Sequence, residues 1–189
     1  MSFLLLTPPA LEPVALDEMR SFLRVDQTGE DEAIAALIAG ARIHIEAQAR
    51  RALITQSWRA TLDGWPADGR LLLTPAPLQS LTAARVYDED GSTRTADPQA
   101  FVLDRGGSSL AFMPWALPAP GRSALGIELD FVAGYGDTAL DVPEPLRQAI
   151  RLLVAHWYEN RGLAAIGHEF AMLPQTVAAL IAPYRVLAL

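Results

Sequence analysis

The chain has 189 residues, 51% hydrophobic and 20% charged, with no cysteine and 15 basic against 22 acidic residues for a formal charge of −7. A chain of this length removes roughly 70% of its unfolded surface from water, so one domain folds without a disulfide or metal staple. Every basic residue is arginine. Without lysine or cysteine there is no P-loop lysine, Schiff base, thiolate nucleophile, cysteine-bound zinc or iron–sulfur cluster, and the acidic balance argues against a free-standing nucleic-acid binder.

The first residues have no basic group ahead of the apolar run Phe3–Leu6 and meet Pro8 and Pro9 at once, which is not the pattern of a signal peptide. The longest uncharged stretch, 106–121, holds Pro114, Pro118 and Pro120 and cannot form a membrane helix. The chain reads as cytosolic.

Leu16, Met19, Phe22 and Leu23 share one face of a short helix whose first turn carries Asp17 and Glu18. Thr28 and Asp31 have capping-box spacing, and Ile34, Leu37, Ile38, Ala41 and Ile45 continue at helical period to about Arg51. The period then changes to two. Trp58, Ala60 and Leu62 alternate with polar residues up to Asp63-Gly64, predicting a strand, and further strands are predicted at 71–74, 81–87, 101–104, 110–113 and 125–132. Asp141 and Glu144, with Pro143 and Pro145, predict the start of a long helix. Its stripe runs through Leu146, Ala149, Ile150, Leu153, Val154 and Trp157. A loop over 162–173 and a short helix from Pro174 to Ile181 complete the chain.

The expected fold is α+β: a helical scaffold of two N-terminal and two C-terminal helices, with a small, mainly antiparallel sheet inserted between helix two and the long third helix. Residues 1–189 form a single domain on this reading, with 1–52 and 141–189 helical and 53–140 the β-rich insertion. Leu153 and Trp157 are expected to pack on Leu37 and Ile38.

Catalytic chemistry finds little support. Glu128 and Asp130 point to one face of a strand, as a glycosidase pair would, but strand alternation makes that a solvated face. His156, Glu159, His168 and Glu169 lack the spacing of a metal motif. His44, between Arg42 and Glu46, reads as exposed. Gly134-Tyr135-Gly136 is a turn rather than a phosphate loop, and Ser108 lacks the context of a nucleophile.

Three stretches make a further pattern: Arg51-Ala52-Leu53-Ile54-Thr55-Gln56-Ser57-Trp58, Ala133-Gly134-Tyr135-Gly136, and Val142-Pro143-Glu144-Pro145-Leu146-Arg147-Gln148-Ala149-Ile150 running into Leu153-Val154-Ala155-His156-Trp157-Tyr158-Glu159-Asn160-Arg161. In these the chain resembles the head-tail connector (adaptor) proteins of long-tailed phages, prophages and gene transfer agents. The resemblance covers nearly the whole chain, whose lack of lysine departs from the family without touching the motifs.

The resemblance implies a non-enzymatic virion protein that needs no cofactor. It implies a dodecameric ring beneath the portal protein that extends the DNA channel and receives the tail or a stopper protein. The expected location is the head-tail interface of the virion, after synthesis in the host cytoplasm. Its partners would be portal, tail or stopper and further copies of itself, with DNA passing non-specifically and no membrane. Glu159, Asn160 and Arg161 are the candidate contacts to a neighbouring subunit. Tyr184, Arg185, Leu187 and Leu189 belong to a C-terminal stretch that either docks on the portal or folds back on its own domain. The competing readings are a small regulatory binding module and a metal-dependent hydrolase using His156, Glu159, His168 or the Glu128/Asp130 pair.

Overall fold

In the computed structural model, which describes residues 1–160 and 173–186, the chain falls into two units: Met1–Pro9 with Thr55–Tyr135, and Ala10–Ile54 with Gly136–Leu189. The second unit is helical and holds α1 (Leu16–Leu23), α2 (Asp31–Ala49), α3 (Glu144–Glu159) and α4 (Gln175–Ile181). Its core is built from stripes read in the sequence, Met19 of α1, Ile34, Ile38, Ala41 and Ile45 of α2, and Leu146, Ala149, Ile150, Leu153 and Val154 of α3, together with Val177 and Ile181 of α4. Helices α2 and α3 pack together.

Leu37 and Trp157 sit at the margin of this core, half-buried. The indole lies beside Gly40, and His44 meets it edge to face with centroids 5.9 Å apart. This corrects the expectation that His44 is exposed: its ring covers an aromatic, and its Nε2 is buried without a hydrogen-bond partner. The expected caps also move. Thr28 opens a 3₁₀ turn and caps nothing in α2, while the capping box falls on Thr138 and Asp141, in the turn that leads into α3. Proline at the start of α3 needs no side-chain cap because one orphan N–H is already missing.

The first unit is antiparallel β. Five strands, β1 (Ser2–Thr7), β2 (Gln56–Leu62), β4 (Leu78–Tyr87), β5 (Thr93–Ala96) and β8 (Ile127–Ala133), form a sheet in the order β1-β2-β8-β4-β5. A second sheet has the order β3-β7-β6, from β3 (Arg70–Leu72), β7 (Ser109–Phe112) and β6 (Phe101–Leu103). The α+β class and the antiparallel pairing agree with the sequence reading. The single inserted sheet becomes two, and the larger one recruits an N-terminal strand that precedes every helix.

Alternation decides the faces. Ile127, Leu129 and Phe131 of the central β8 are fully buried, and Phe3 meets Phe131 edge to face. In the smaller sheet Leu71, Leu110, Phe101 and Phe112 turn inward, where Trp65 joins the two phenylalanines at centroid distances of 5.1 and 5.8 Å. Leu125, expected within the last strand, precedes it in a left-handed conformation with φ 53° and is exposed.

Candidate functional site

The acid pair Glu128 and Asp130 sits on β8 between two strands that each contribute an arginine. The register sets Arg59 of β2 opposite Asp130 and Arg85 of β4 opposite Glu128, so all four side chains share one sheet face. Arg59 reaches both acids, with Nε 2.7 Å from Asp130 Oδ1 and Nη1 3.3 Å from Glu128 Oε2. Arg85 also bridges the pair, with Nε 3.2 Å from Glu128 Oε2 and Nη2 on Asp130. The Tyr87 hydroxyl donates to Glu128 at 3.0 Å.

The solvated face expected here is a part-buried network of two arginines and two carboxylates. Burial alone would push the Asp130 carboxyl up, but hydrogen bonds from Arg59 and Arg85 outweigh it and hold the group below the usual aspartate range. A glycosidase acid needs the opposite shift to keep its proton near neutral pH. Asp130 is therefore held as a hydrogen-bond acceptor between arginines of the two flanking strands.

The helical unit carries two further networks that the sequence reading missed. Glu18 of α1 accepts from Arg147 at 2.9 Å and from Arg151, and both arginines also reach Glu144, while Arg147 Nε donates to the Pro13 carbonyl at 3.0 Å. Arg42 is clamped between Glu12 and Glu46, each at 2.8 Å. The i, i+3 and i, i+7 spacing of Glu144, Arg147 and Arg151 is a visible signal. Glu18 and Glu12 are distant in sequence and carry none.

The residues proposed to bind partners occupy two different helix ends. Asn160 closes α3 by donating to the His156 carbonyl at 2.7 Å, and Glu159 beside it is exposed. At the end of α2, Arg51 donates to the Tyr184 carbonyl, the Val186 N–H donates to the Ala49 carbonyl at 3.0 Å, and the exposed Arg185 reaches Gln48 at 3.3 Å. Arg161, Leu187 and Leu189 lie outside the described residues, as do His168 and Glu169 of the metal reading and most of the loop expected over 162–173. Among the described residues no group of three or more acids and histidines is placed to hold a metal ion.

The Gly-Tyr-Gly turn has a packing role. A Cβ on Gly136 would stand 2.4 Å from the Asp141 side chain, whose carboxylate accepts from the Thr138 N–H and hydroxyl at 2.8 Å each. Glycine lets the chain pass close to that carboxylate.

A family model described as "Head completion protein" matches residues 14–187. No curated protein sequence matches the chain. Among solved structures, a chain in the neck of an empty gene transfer agent particle, computed with C6 symmetry, is 28% identical with a TM-score of 0.80. A chain in the virion of a native gene transfer agent particle is 28% identical with a TM-score of 0.81. One in the neck of a native particle computed with C12 symmetry is 27% identical with a TM-score of 0.76. Each alignment covers 100% of this chain and 97% of the other. With the four helices, the antiparallel sheet and a family match spanning nearly its whole length, the chain belongs to the head completion protein family.

Proposed function

We propose that the chain joins head to tail as one member of a twelve-copy ring placed between the portal and the tail or a stopper protein. Its role is that of a structural head-tail connector of the virion. The observation that carries this is the full-length likeness to chains of gene transfer agent necks and virions, reinforced by the family match. The C12 symmetry of one of those necks supports the copy number.

On this reading the protein is made in the host cytoplasm and carries no catalytic activity. The surplus of carboxylates keeps passing DNA from adhering to the channel wall. Exposed Glu159, with Asn160 and Arg161, faces the neighbouring copy. The stretch rooted at Tyr184 and Arg185 places Leu187 and Leu189 on the portal. Its root is anchored by the Arg51 and Ala49 hydrogen bonds, so the apolar residues beyond it start from a fixed point.

Deleting the coding sequence in the producing cell tests the reading. Full heads and free tails that fail to join are expected, with joining restored by the gene in trans. Joined, infectious or DNA-transferring particles from the deletion strain contradict it.

A further inference from the structure

Among the described residues of the β unit, Leu125 is the only one other than glycine held in the left-handed region, with φ 53°, and it is 58% exposed. Arg24 and Arg50 share that backbone form in the helical unit, but each closes the last turn of a helix, with its N–H on the Ser21 and Glu46 carbonyls respectively. Leu125 closes no helix. It stands just ahead of β8, where a bulky residue at positive φ is strained and glycine would not be. The chain around it leaves no room to relax. Its N–H donates to Asp63 Oδ1 at 2.8 Å, and the Gly126 carbonyl accepts from the Tyr87 N–H at 2.8 Å. Further back in the loop, the Gly121 N–H donates to the Tyr87 carbonyl at 2.9 Å, and Arg94 Nη2 and Trp65 Nε1 donate to the Ala119 and Pro118 carbonyls at 2.8 Å each. A Cβ on Gly126 would stand 2.6 Å from the Pro120 ring, so the two ends of the loop are packed against each other. What this loop holds outward is 122–125, every residue of it exposed.

We propose that Leu125 is a preformed anchor that docks into an apolar pocket on a different protein of the head-tail junction. The inference rests on the connector reading above. Backbone strain persists where the surroundings over-determine it, and it gathers where a side chain meets a ligand. Here the fold gains little from a leucine that points mostly into water, whereas a partner gains a fixed apolar side chain whose loop needs no further ordering on binding. The borders of the loop give the pocket its rim. Asp63 and Glu89 are exposed carboxylates beside it, and its one arginine, Arg122, lies over the Tyr87 ring at 4.8 Å, so the matching rim is basic. The cavity at the end of α1 is no such seat: Asp17, Arg20, Ser21, Arg24, Val25 and Asp26 line it, with two acids and one aliphatic side chain. The occupant is accordingly a different chain, with an apolar pocket and basic side chains around it.

Leu125→Gly and Leu125→Asn test this, since both residues tolerate left-handed backbone. In the full purified chain each is expected to melt no more than about 2 °C below wild type, as a site that does not serve the fold would. Expressed in the producing cell, each is expected to enter purified particles about tenfold less, as on losing a binding hot spot, while Leu125→Met, apolar and of similar volume, enters close to the wild-type level. Larger losses of melting temperature in both variants show that the leucine serves its own fold, and wild-type incorporation shows that nothing grips it. Either result overturns the proposal and leaves the connector reading intact, whereas wild-type chain absent from purified particles by immunoblot overturns both. Photo-crosslinking from Ala124, replaced by p-benzoylphenylalanine, identifies the occupant in assembled particles. An adduct with a different protein is expected; adducts only between copies of this chain, or none from incorporated chain, overturn the proposal.

Discussion

Arg59 on β2 and Asp130 on β8 stand directly opposite each other in the sheet register, and their side chains meet with Nε 2.7 Å from Oδ1. With Arg85 closing the other side, Asp130 is the acceptor that lets two cationic strands flank one acidic strand. Asp130→Asn leaves two guanidinium groups facing a single carboxylate and is expected to destabilise the fold by about 1–3 kcal/mol. The pH dependence has a definite sign. Because the folded-state pKa is depressed, the Asp130 contribution is full above the unfolded value of about 3.9, fades as pH drops below it, and is gone once pH passes the folded value. Thermal melts from pH 7 to pH 2.5 should show a smaller acid loss in Asp130→Asn than in wild type. Equal slopes would remove the network's claimed role.

Leu153 of α3 is fully buried in the helical core. Leu153→Ala is expected to cost about 2–5 kcal/mol, the range for a cavity left by a buried leucine. Urea unfolding checks it, and a change within about 0.5 kcal/mol would mark a surface site instead.

Gly40 offers the reverse test. It lies inside α2, and a Cβ there would sit 3.6 Å from the Trp157 ring, an ordinary contact distance. Gly40→Ala should stabilise the protein by up to about 1 kcal/mol through helix propensity. That raises the melting temperature by roughly 2–4 °C in a chain of this size. A lowered melting temperature would show that α2 has no room against Trp157.

Much of this architecture was legible in the sequence, and the gaps have physical causes. The apolar stripes of α2 and α3 were visible because burial on one helical face repeats every three to four residues. Strand β1 was not, since Phe3-Leu4-Leu5-Leu6 lacks alternation and becomes a strand only by pairing with β2, more than fifty residues away. The Glu128/Asp130 pair was visible as a pair. Its partners Arg59 and Arg85 were hidden, because register between distant strands is a tertiary property. His44 misled for the same reason: its polar neighbours in sequence say nothing of Trp157 across the helix pair.

Gly136→Ala places a methyl group against the Asp141 carboxylate and is expected to displace the side chain that closes the turn before α3. The variant should melt at a lower temperature than wild type, and Gly136→Ala/Asp141→Ala should melt no lower than Asp141→Ala alone. Additive losses would show that the glycine is required for another reason.

Residues 187–189 follow a root tied to α2 through Tyr184 and Val186. A chain ending at Val186 keeps those bonds, so its melting temperature should stay within about 2 °C of wild type, while its capture by portal rings in a pull-down falls. A truncation that melts the isolated protein, or binds portal undiminished, places the last residues in the chain's own core.

The assignment as a neck component is tested most directly by cryo-electron microscopy of purified particles, reconstructed around the neck with twelve-fold symmetry. The account predicts a ring of twelve copies of this fold between portal and tail, with the four-helix unit and both sheets identifiable in each copy. A neck whose density is filled by other chains, with this fold absent from the head-tail junction, would contradict it.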